Sequence, residues 1–342
     1  MLIQENGLTS CVPPVRGRIT LNAPLAQMTW FRVGGAADVL FKPADLEDLQ
    51  AFLKACPKEL PVMPLGVASN LLIRDGGIEG VVLRLGGAFA GITPVTSFPR
   101  KRESSSSSED NQKNPDTADA ALLDTRFHGH DGLKYLHVGA AALDANIALV
   151  AQQAGIAGLE FLSGIPGTLG GAFPTNAGCY GRELKDILVS ARAVDREGNL
   201  HTLTPESLNL TYRHADLPDG FVVVDAVLRG TQDDPEAIAA RMEDIRQKRE
   251  ASQPIRTRTG GSTFANPDGT SAWKVVDAAG CRGLRLGGAM VSDQHCNFLI
   301  NTGTATATEL EDLGELVRQK VKIHSGTDLR WEIRRIGRRK NT

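Results

Sequence analysis

The stretch Gly158-Leu-Glu-Phe-Leu-Ser-Gly-Ile-Pro-Gly-Thr-Leu-Gly-Gly-Ala-Phe-Pro-Thr-Asn-Ala-Gly-Cys-Tyr-Gly181 carries its glycines too densely for a helix or an ordinary strand. Glycine tolerates positive φ and lets the main chain approach a ligand closely, so successive N–H groups can converge on one anion. A second segment, Pro64-Leu-Gly-Val-Ala-Ser-Asn-Leu-Leu-Ile-Arg-Asp-Gly-Gly77, has the same character and lies about a hundred residues earlier. Two such cradles suit a pyrophosphate. Neither is a Gly-x-Gly-x-x-Gly on a strand-to-helix turn, so a Rossmann cofactor site is not supported.

Composition narrows the class. The chain has 342 residues, 41% hydrophobic content and a formal charge of −2, which suits a globular protein of two or three domains. No apolar run reaches the roughly 18 residues that span a bilayer, and the N-terminus lacks a basic-then-apolar leader. A cytoplasmic protein without membrane insertion is expected. Near-neutral charge argues against nonspecific nucleic-acid binding while allowing a local basic site for phosphates. Cys11, Cys56, Cys179, Cys281 and Cys296 have no metal-ligand spacing, and an odd count fits a reducing compartment.

Hydrophobic periodicity gives a mixture of short strands and helices. Asp45 to Ala55 reads as a helix with Leu46, Leu49, Phe52 and Leu53 on one face, and Val81 to Leu85 reads as a strand. Asn146 to Gln153 reads as a helix and Phe221 to Leu228 as a buried strand. Asp234-Pro235 supplies an N-cap and first-turn proline for a helix with Ile238, Met242 and Ile245 on one face. Thr306-Ala-Thr-Glu309 is a capping box that opens a helix with Leu310, Leu313, Leu316, Val317 and Val321 toward a core. We expect a region 1–232 of two α+β subdomains and a C-terminal lobe 233–342. Residues 97–126, with Ser104 to Ser108 and a polar Asp/Asn/Gln run, read as a disordered insertion, because they hold too few large apolar groups to offset ordering entropy.

Five further motifs accompany the two cradles: Thr29-Trp-Phe-Arg-Val-Gly-Gly35, Thr211-Tyr-Arg213, Gly261-Ser-Thr-Phe-Ala-Asn-Pro267, Gly287-Gly-Ala-Met-Val-Ser-Asp-Gln-His-Cys-Asn-Phe298 and Trp331-Glu-Ile-Arg334. In this order the set resembles the UDP-N-acetylenolpyruvoylglucosamine reductases, flavoenzymes of peptidoglycan precursor synthesis, over about nine tenths of the chain. The resemblance implies an α+β chain with the FAD-binding fold of the vanillyl-alcohol oxidase type and a C-terminal α+β substrate-binding lobe. It implies NADPH-dependent reduction of UDP-N-acetylglucosamine enolpyruvate, with the flavin between the two cradles. Arg213 and Ser262 are 49 residues apart and Ser262 and Glu332 are 70 apart, which leaves no room for extra substrate-covering segments and suits the compact second type of this enzyme.

Carried over residue by residue, the resemblance gives Gly66, Ala68, Ser69, Asn70 and Leu71 to one phosphate turn. It gives Gly164, Ile165, Pro166, Gly167, Thr168, Gly170 and Gly171 to the other, and Asn176 and Gly178 to the flavin or its ribityl chain. None of the histidines His128, His130, His137, His201, His214, His295 and His324 lies in either cradle, so FAD is expected to be noncovalent. Ser262 is the implied proton donor, Arg213 the carboxylate-binding cation and Glu332 its acidic partner. By residue type alone these read as a turn serine, a solvated arginine and the exposed face of a strand. Asn266, Ser292, His295 and Asn297 are implied substrate contacts, with Lys248 or Arg249 near the UDP phosphates and Arg32 toward an anionic or carbonyl group. Two departures stand out: Ala215 where the family commonly has Ser, and Ala265 where it commonly has Lys. Lys274 or Arg258 could compensate for the missing cation.

Overall fold

The computed structural model describes residues 12–95 and 132–340. The polar insertion, Cys11, His128 and His130 lie outside the described residues. In chain order the strands are β1 (Arg18–Pro24), β2 (Ala36–Lys42), β3 (Val62–Pro64), β4 (Leu71–Ile73), β5 (Ile78–Leu83), β6 (Ile92–Val95), β7 (Leu133–Gly139), β8 (Ile156–Ala157), β9 (Gly178–Cys179), β10 (Arg182–Glu183), β11 (Leu188–Val194), β12 (Leu200–Leu203), β13 (Val222–Gln232), β14 (Arg285–Leu286), β15 (Ala289–Val291), β16 (Leu299–Asn301) and β17 (Arg334–Ile336). The helices are α1 (Leu46–Ala55), α2 (Asp144–Gln153), α3 (Leu169–Ala172), α4 (Leu184–Ile187), α5 (Pro235–Ser252), α6 (Ala272–Ala278) and α7 (Ala307–Ser325).

Packing divides the chain into two units, and the division does not follow chain order. One draws on the chain up to Ala44, on Cys56–Leu85 and on the chain from Asp244 onward; the other on Asp45–Ala55 and Gly86–Glu243. The helix expected after Pro235 is α5. Asp234 caps it by accepting the Glu236 amide at 3.2 Å, Ile238 and Ile245 are its buried residues, and the division between units falls within it.

In the first unit, β1 runs antiparallel to β2, and β5 sits parallel between β2 and β3. The strand expected at Val81–Leu85 is met by the second half of β5, which ends at Leu83. Its run of buried residues reflects covering on both faces, as parallel pairing requires. A second core forms where α7 lies over the β14–β15–β16 meander, with Leu310, Leu313, Val317 and Val321 meeting Phe264, Val291 and Leu299. The capping box at Thr306 is made in both directions, Thr306 Oγ1 accepting the Glu309 amide at 3.1 Å and Glu309 the Thr306 amide at 3.0 Å.

On the same helix, a Cβ at Gly314 would lie 2.2 Å from the Trp331 ring, so the helix backbone and the indole are in direct contact. The indole N–H donates to Glu315 at 2.8 Å and the Arg335 guanidinium stacks 4.4 Å from the ring centroid. Gly314→Ala forces the indole outward, an overpacking change that costs about 1–3 kcal/mol. A thermal melt of that variant should drop by several degrees, with turnover falling too, because Glu332 follows Trp331 in the chain. An unchanged melt would mean that the ring repacks freely.

The second unit is built on a mixed-length antiparallel sheet in the order β12–β11–β13–β7–β6, with β8 added beside β13. Seven consecutive buried residues open β13, the strand expected from its Val-rich run. The short helix α3 packs on β13 and β7, which places the Gly-rich turn before it over the middle of the sheet. Helix α1 joins this unit through Gln50 Nε2, which donates to Gly198 O at 2.9 Å.

Candidate active site

The first cradle follows β3 in the first unit. Leu65 is anchored by donating to Leu83 O at 2.8 Å, and the amides from Gly66 through Asn70 then donate no hydrogen bond within the described residues. Ala68 takes a left-handed φ of 52°, and alternating handedness turns successive N–H groups to one side. Buried orphan amides are rare without a partner. Here the amides, on residues that are half-buried apart from buried Ala68, form a ready set of donors to a diphosphate.

The far end of this cradle is stitched to the last motif of the sequence. Arg334 donates its amide to Asn70 O at 3.2 Å, Asn70 Nδ2 reaches Glu332 O at 3.4 Å, and β17 continues parallel to β4. Glu332 in turn donates its amide to Thr263 O at 2.8 Å. Ser262 stands opposite Phe298 and Phe264 opposite Trp331 in antiparallel bridges. Ser262 and Glu332, both half-buried, are therefore carried on adjacent extended segments beside the Gly66–Leu71 turn. The structure brings these three sequence motifs together within one unit.

The four implied substrate contacts lie in the same unit, and their hydrogen bonds are largely local. Asn297 is 3% exposed; it accepts the Phe264 amide at 3.0 Å through Oδ1 and donates Nδ2 to Phe264 O at 2.8 Å. This two-way clamp fixes the segment that bears Ser262. Ser292 Oγ accepts the amides of Gln294 and His295, each at 3.2 Å. His295 Nδ1 accepts the Asn297 amide at 3.2 Å, so in the neutral ring the proton is on Nε2. Burial among Trp273 and Phe298 pushes the His295 pKa below its ordinary value, which favours that neutral form. Asn266 Oδ1 caps α6 by accepting the Ala272 amide at 2.9 Å and leaves its Nδ2 uncommitted.

Four cations share one groove and the others have separate partners. Arg32, at a left-handed φ of 58°, lines a groove of about 900 Å³ with Arg84, Arg256 and Arg258. Nothing in the sequence had joined Arg84 to that set, since it lies on a separate segment brought in only by folding, whereas Arg256 stands two residues before Arg258. Lys248 pairs with Asp244 at 2.6 Å, Arg249 donates to Gln253, and Lys274 lies 5.7 Å from the Trp273 ring centroid.

The second cradle belongs to the second unit. Leu143 and Thr168 face each other in an antiparallel bridge, made by Asp144 N donating to Gly167 O at 3.1 Å and Leu169 N to Ala142 O at 3.0 Å. Gly170 closes on the sheet by donating to Ala140 O at 2.8 Å. Pro166 has no amide proton, and the Gly167 and Thr168 amides donate to nothing within the described residues. Two consecutive free N–H groups at the start of α3 repeat the chemistry of the first cradle.

Asn176 ends the second cradle as a hub. It is 1% exposed with a left-handed φ of 40°, donates to Glu183 at 2.8 Å and to Thr211 O at 3.1 Å, and accepts the Lys185 amide. Thr211 and His214 exchange both backbone hydrogen bonds, at 3.0 and 3.1 Å, and put Tyr212 and Arg213 at the tip of a two-residue turn. Arg213 has φ 58° there, a cost of about 1 kcal/mol or more for a side-chain-bearing residue that the closed turn sustains. Within this unit the carboxylate-binding candidate is thus tied to the cradle through one carbonyl.

Both cradles fit a diphosphate-bearing cofactor, and the fold that presents them is that of an FAD-binding flavoprotein. A family model described as "FAD binding domain" matches residues 103–204, and one described as "UDP-N-acetylenolpyruvoylglucosamine reductase, C-terminal domain" matches 253–336. The chain is 51% identical to the UDP-N-acetylenolpyruvoylglucosamine reductase of Paramagnetospirillum magneticum over 96% of its length and 95% of the relative's. It is 53% identical to that of Rhodospirillum rubrum over 95% of its length and 92% of the relative's. A crystal structure of the Thermus caldophilus reductase superimposes with a TM-score of 0.72 at 30% identity, covering 94% of this chain and 99% of that one. The chain belongs to the UDP-N-acetylenolpyruvoylglucosamine reductase family.

Proposed function

We infer that the chain catalyses the NADPH-dependent reduction of UDP-N-acetylglucosamine enolpyruvate to UDP-N-acetylmuramate, using noncovalent FAD, in cytoplasmic peptidoglycan precursor synthesis. The observation that carries this reading beyond family membership is the backbone continuity from the Gly66–Leu71 cradle through Asn70 to Glu332 and on to Thr263, beside Ser262. Among the described residues no helix is long and apolar enough to cross a membrane.

Bound FAD supplies the two-electron carrier between NADPH and the enolpyruvyl double bond. The residues of the chain handle the charge and the proton. When hydride reaches the β-carbon, negative charge builds on the α-carbon and spreads into the carboxylate, and preorganised donors aimed there lower the barrier. Arg213 is the permanent cation for that carboxylate, and Glu332 is the general acid or polarising group. Ser262 hands its hydroxyl proton to the α-carbon, a step worth about 10²–10⁴-fold. His295 offers its Nε2–H and Asn266 its Nδ2 to the substrate. Ser292 and Asn297 act mainly by holding their segments in place. Residues 1–232 carry both cradles and Arg213, and 233–342 carry Ser262, Glu332 and the four substrate-contact candidates.

The first test is optical. Purified protein should be yellow and release intact FAD on denaturation, because open amide cradles without a tether imply a tight noncovalent site. Protein that is colourless and takes up no added FAD would end this reading.

A further inference from the structure

Asp144 is the first residue of α2 and is 0% exposed, yet neither of its carboxyl oxygens has a hydrogen-bond partner. An ionised carboxylate is not left in that state, since burying an unpaired charge is far more costly than neutralising it. The side chain also has a definite direction. A Cβ built on Gly167 would lie 2.6 Å from Asp144 Oδ2, so the carboxyl packs against Gly167 in space that a side chain there would fill. The Asp144 amide donates to Gly167 O on the same spot, which fixes the register of acid and turn. The two neighbouring amides, of Gly167 and Thr168, are those without acceptors.

We propose that Asp144 is an FAD-positioning residue that works as the neutral acid, offering its carboxyl proton to a phosphate oxygen of the cofactor beside Gly167, and that its ionisation weakens FAD binding. This rests on the FAD reading above. A neutral carboxylic acid is a donor like the adjoining amides, and it extends their set to one more hydrogen bond. The ionised form would place a negative charge against an anion in a dry site. Burial alone pushes the Asp144 pKa up to about 8, so the acid is largely neutral at pH 7 and mostly ionised at pH 9.

Among the described residues no charged group shifts it further. The elements packed on α2 are β6, β8 and the turn Glu160–Gly164, and among them only Glu160 is titratable. Glu160 accepts from the Gly158 amide at 2.7 Å and from Arg241 at 2.8 Å. The cradle facing Asp144, Gly164-Ile-Pro-Gly-Thr168, carries no charge. On the sheet beneath α3, Asp225 is paired with Arg192 at 2.5 Å and His137 at 3.5 Å.

The folded chain keeps the Asp144 proton while the unfolded chain loses it near the usual carboxylate range, so this residue lowers stability progressively as pH rises from there to about 8. Asp144→Asn keeps a donor and removes the titration. Asp144→Leu fills the site and removes the donor.

The test is a titration of the apoprotein with FAD, followed by flavin fluorescence at pH 7 and pH 9, with a thermal melt of each variant. Wild type should bind about tenfold more weakly at pH 9. Asp144→Asn should match wild type at pH 7 and lose that pH dependence. Asp144→Leu should melt at or above the wild-type temperature at pH 7 and bind FAD at least about tenfold more weakly. Undiminished FAD affinity in a folded Asp144→Leu, or an unchanged pH dependence in Asp144→Asn, would overturn the proposal and leave Asp144 a buried structural acid. Wild-type protein that binds no FAD at all would instead sink the functional reading.

Discussion

Ser262→Ala should leave the bleaching of bound flavin by NADPH within a few-fold of wild type, while reoxidation of the reduced protein by the enolpyruvyl substrate should slow by at least about 10²-fold. The asymmetry arises because the first half-reaction needs only alignment of two ring systems, whereas the second needs a proton delivered to carbon. Ser262 lies beside Thr263, whose backbone is held from one side by Asn297 O at 2.7 Å and from the other by the Glu332 amide. Removing one hydroxyl there leaves the framework intact. Ser262→Cys should recover part of the loss, since a thiol donates from nearly the same place. Equal slowing of both half-reactions in stopped-flow traces would make Ser262 a turn element and move the proton to Glu332 or water.

Arg213→Ala and Glu332→Gln should each slow substrate reduction by about 10²–10³-fold with normal folding and FAD content, because charge stabilisation is needed chiefly in the transition state. The local structure separates this from general damage. Arg213 sits at the tip of its turn, and the hydrogen bonds that close the turn come from the Thr211 and His214 backbones. Glu332 contributes its amide and carbonyl to the framework, and both survive in Glu332→Gln. Arg213→Lys keeps the charge and loses the planar fork, so it should recover only a fraction of the rate. Near-wild-type turnover in both Arg213→Ala and Glu332→Gln would return the pair to ordinary surface charges.

Much of this was legible in the sequence because it depends on short-range rules. Gly-dense segments without strand or helix periodicity read directly as cradles, and both have the free amides that such a reading requires. The capping box at Thr306 and the proline-led helix after Asp234 are local in the same sense. What stayed hidden is long-range. The α1 helix lies in sequence between two strands of the first unit yet packs with the second, and no periodicity signals that exchange.

The polar residues of the site divide along the same line. Asn297 and Ser292 read as ligand contacts from their motif, but their side chains spend their hydrogen bonds on Phe264, Gln294 and His295. An Asn can bond a backbone in either role, and only the fold decides which. Asp144 escaped notice for the opposite reason: an acidic residue in the first turn of a helix is the ordinary choice, stabilised by the helix dipole, and carries no hint of burial. The sequence signal also started that helix at Asn146, two residues late, and so left the acid outside it.

We expect this chain to pass electrons from NADPH through bound FAD to an enolpyruvyl double bond. The direct measurement is anaerobic: reduce the purified holoprotein with one equivalent of NADPH, mix it with UDP-N-acetylglucosamine enolpyruvate and follow the flavin absorbance. The oxidised spectrum should return rapidly with formation of one equivalent of UDP-N-acetylmuramate. A spectrum that stays bleached until oxygen is admitted would show that the enolpyruvyl group does not take the electrons.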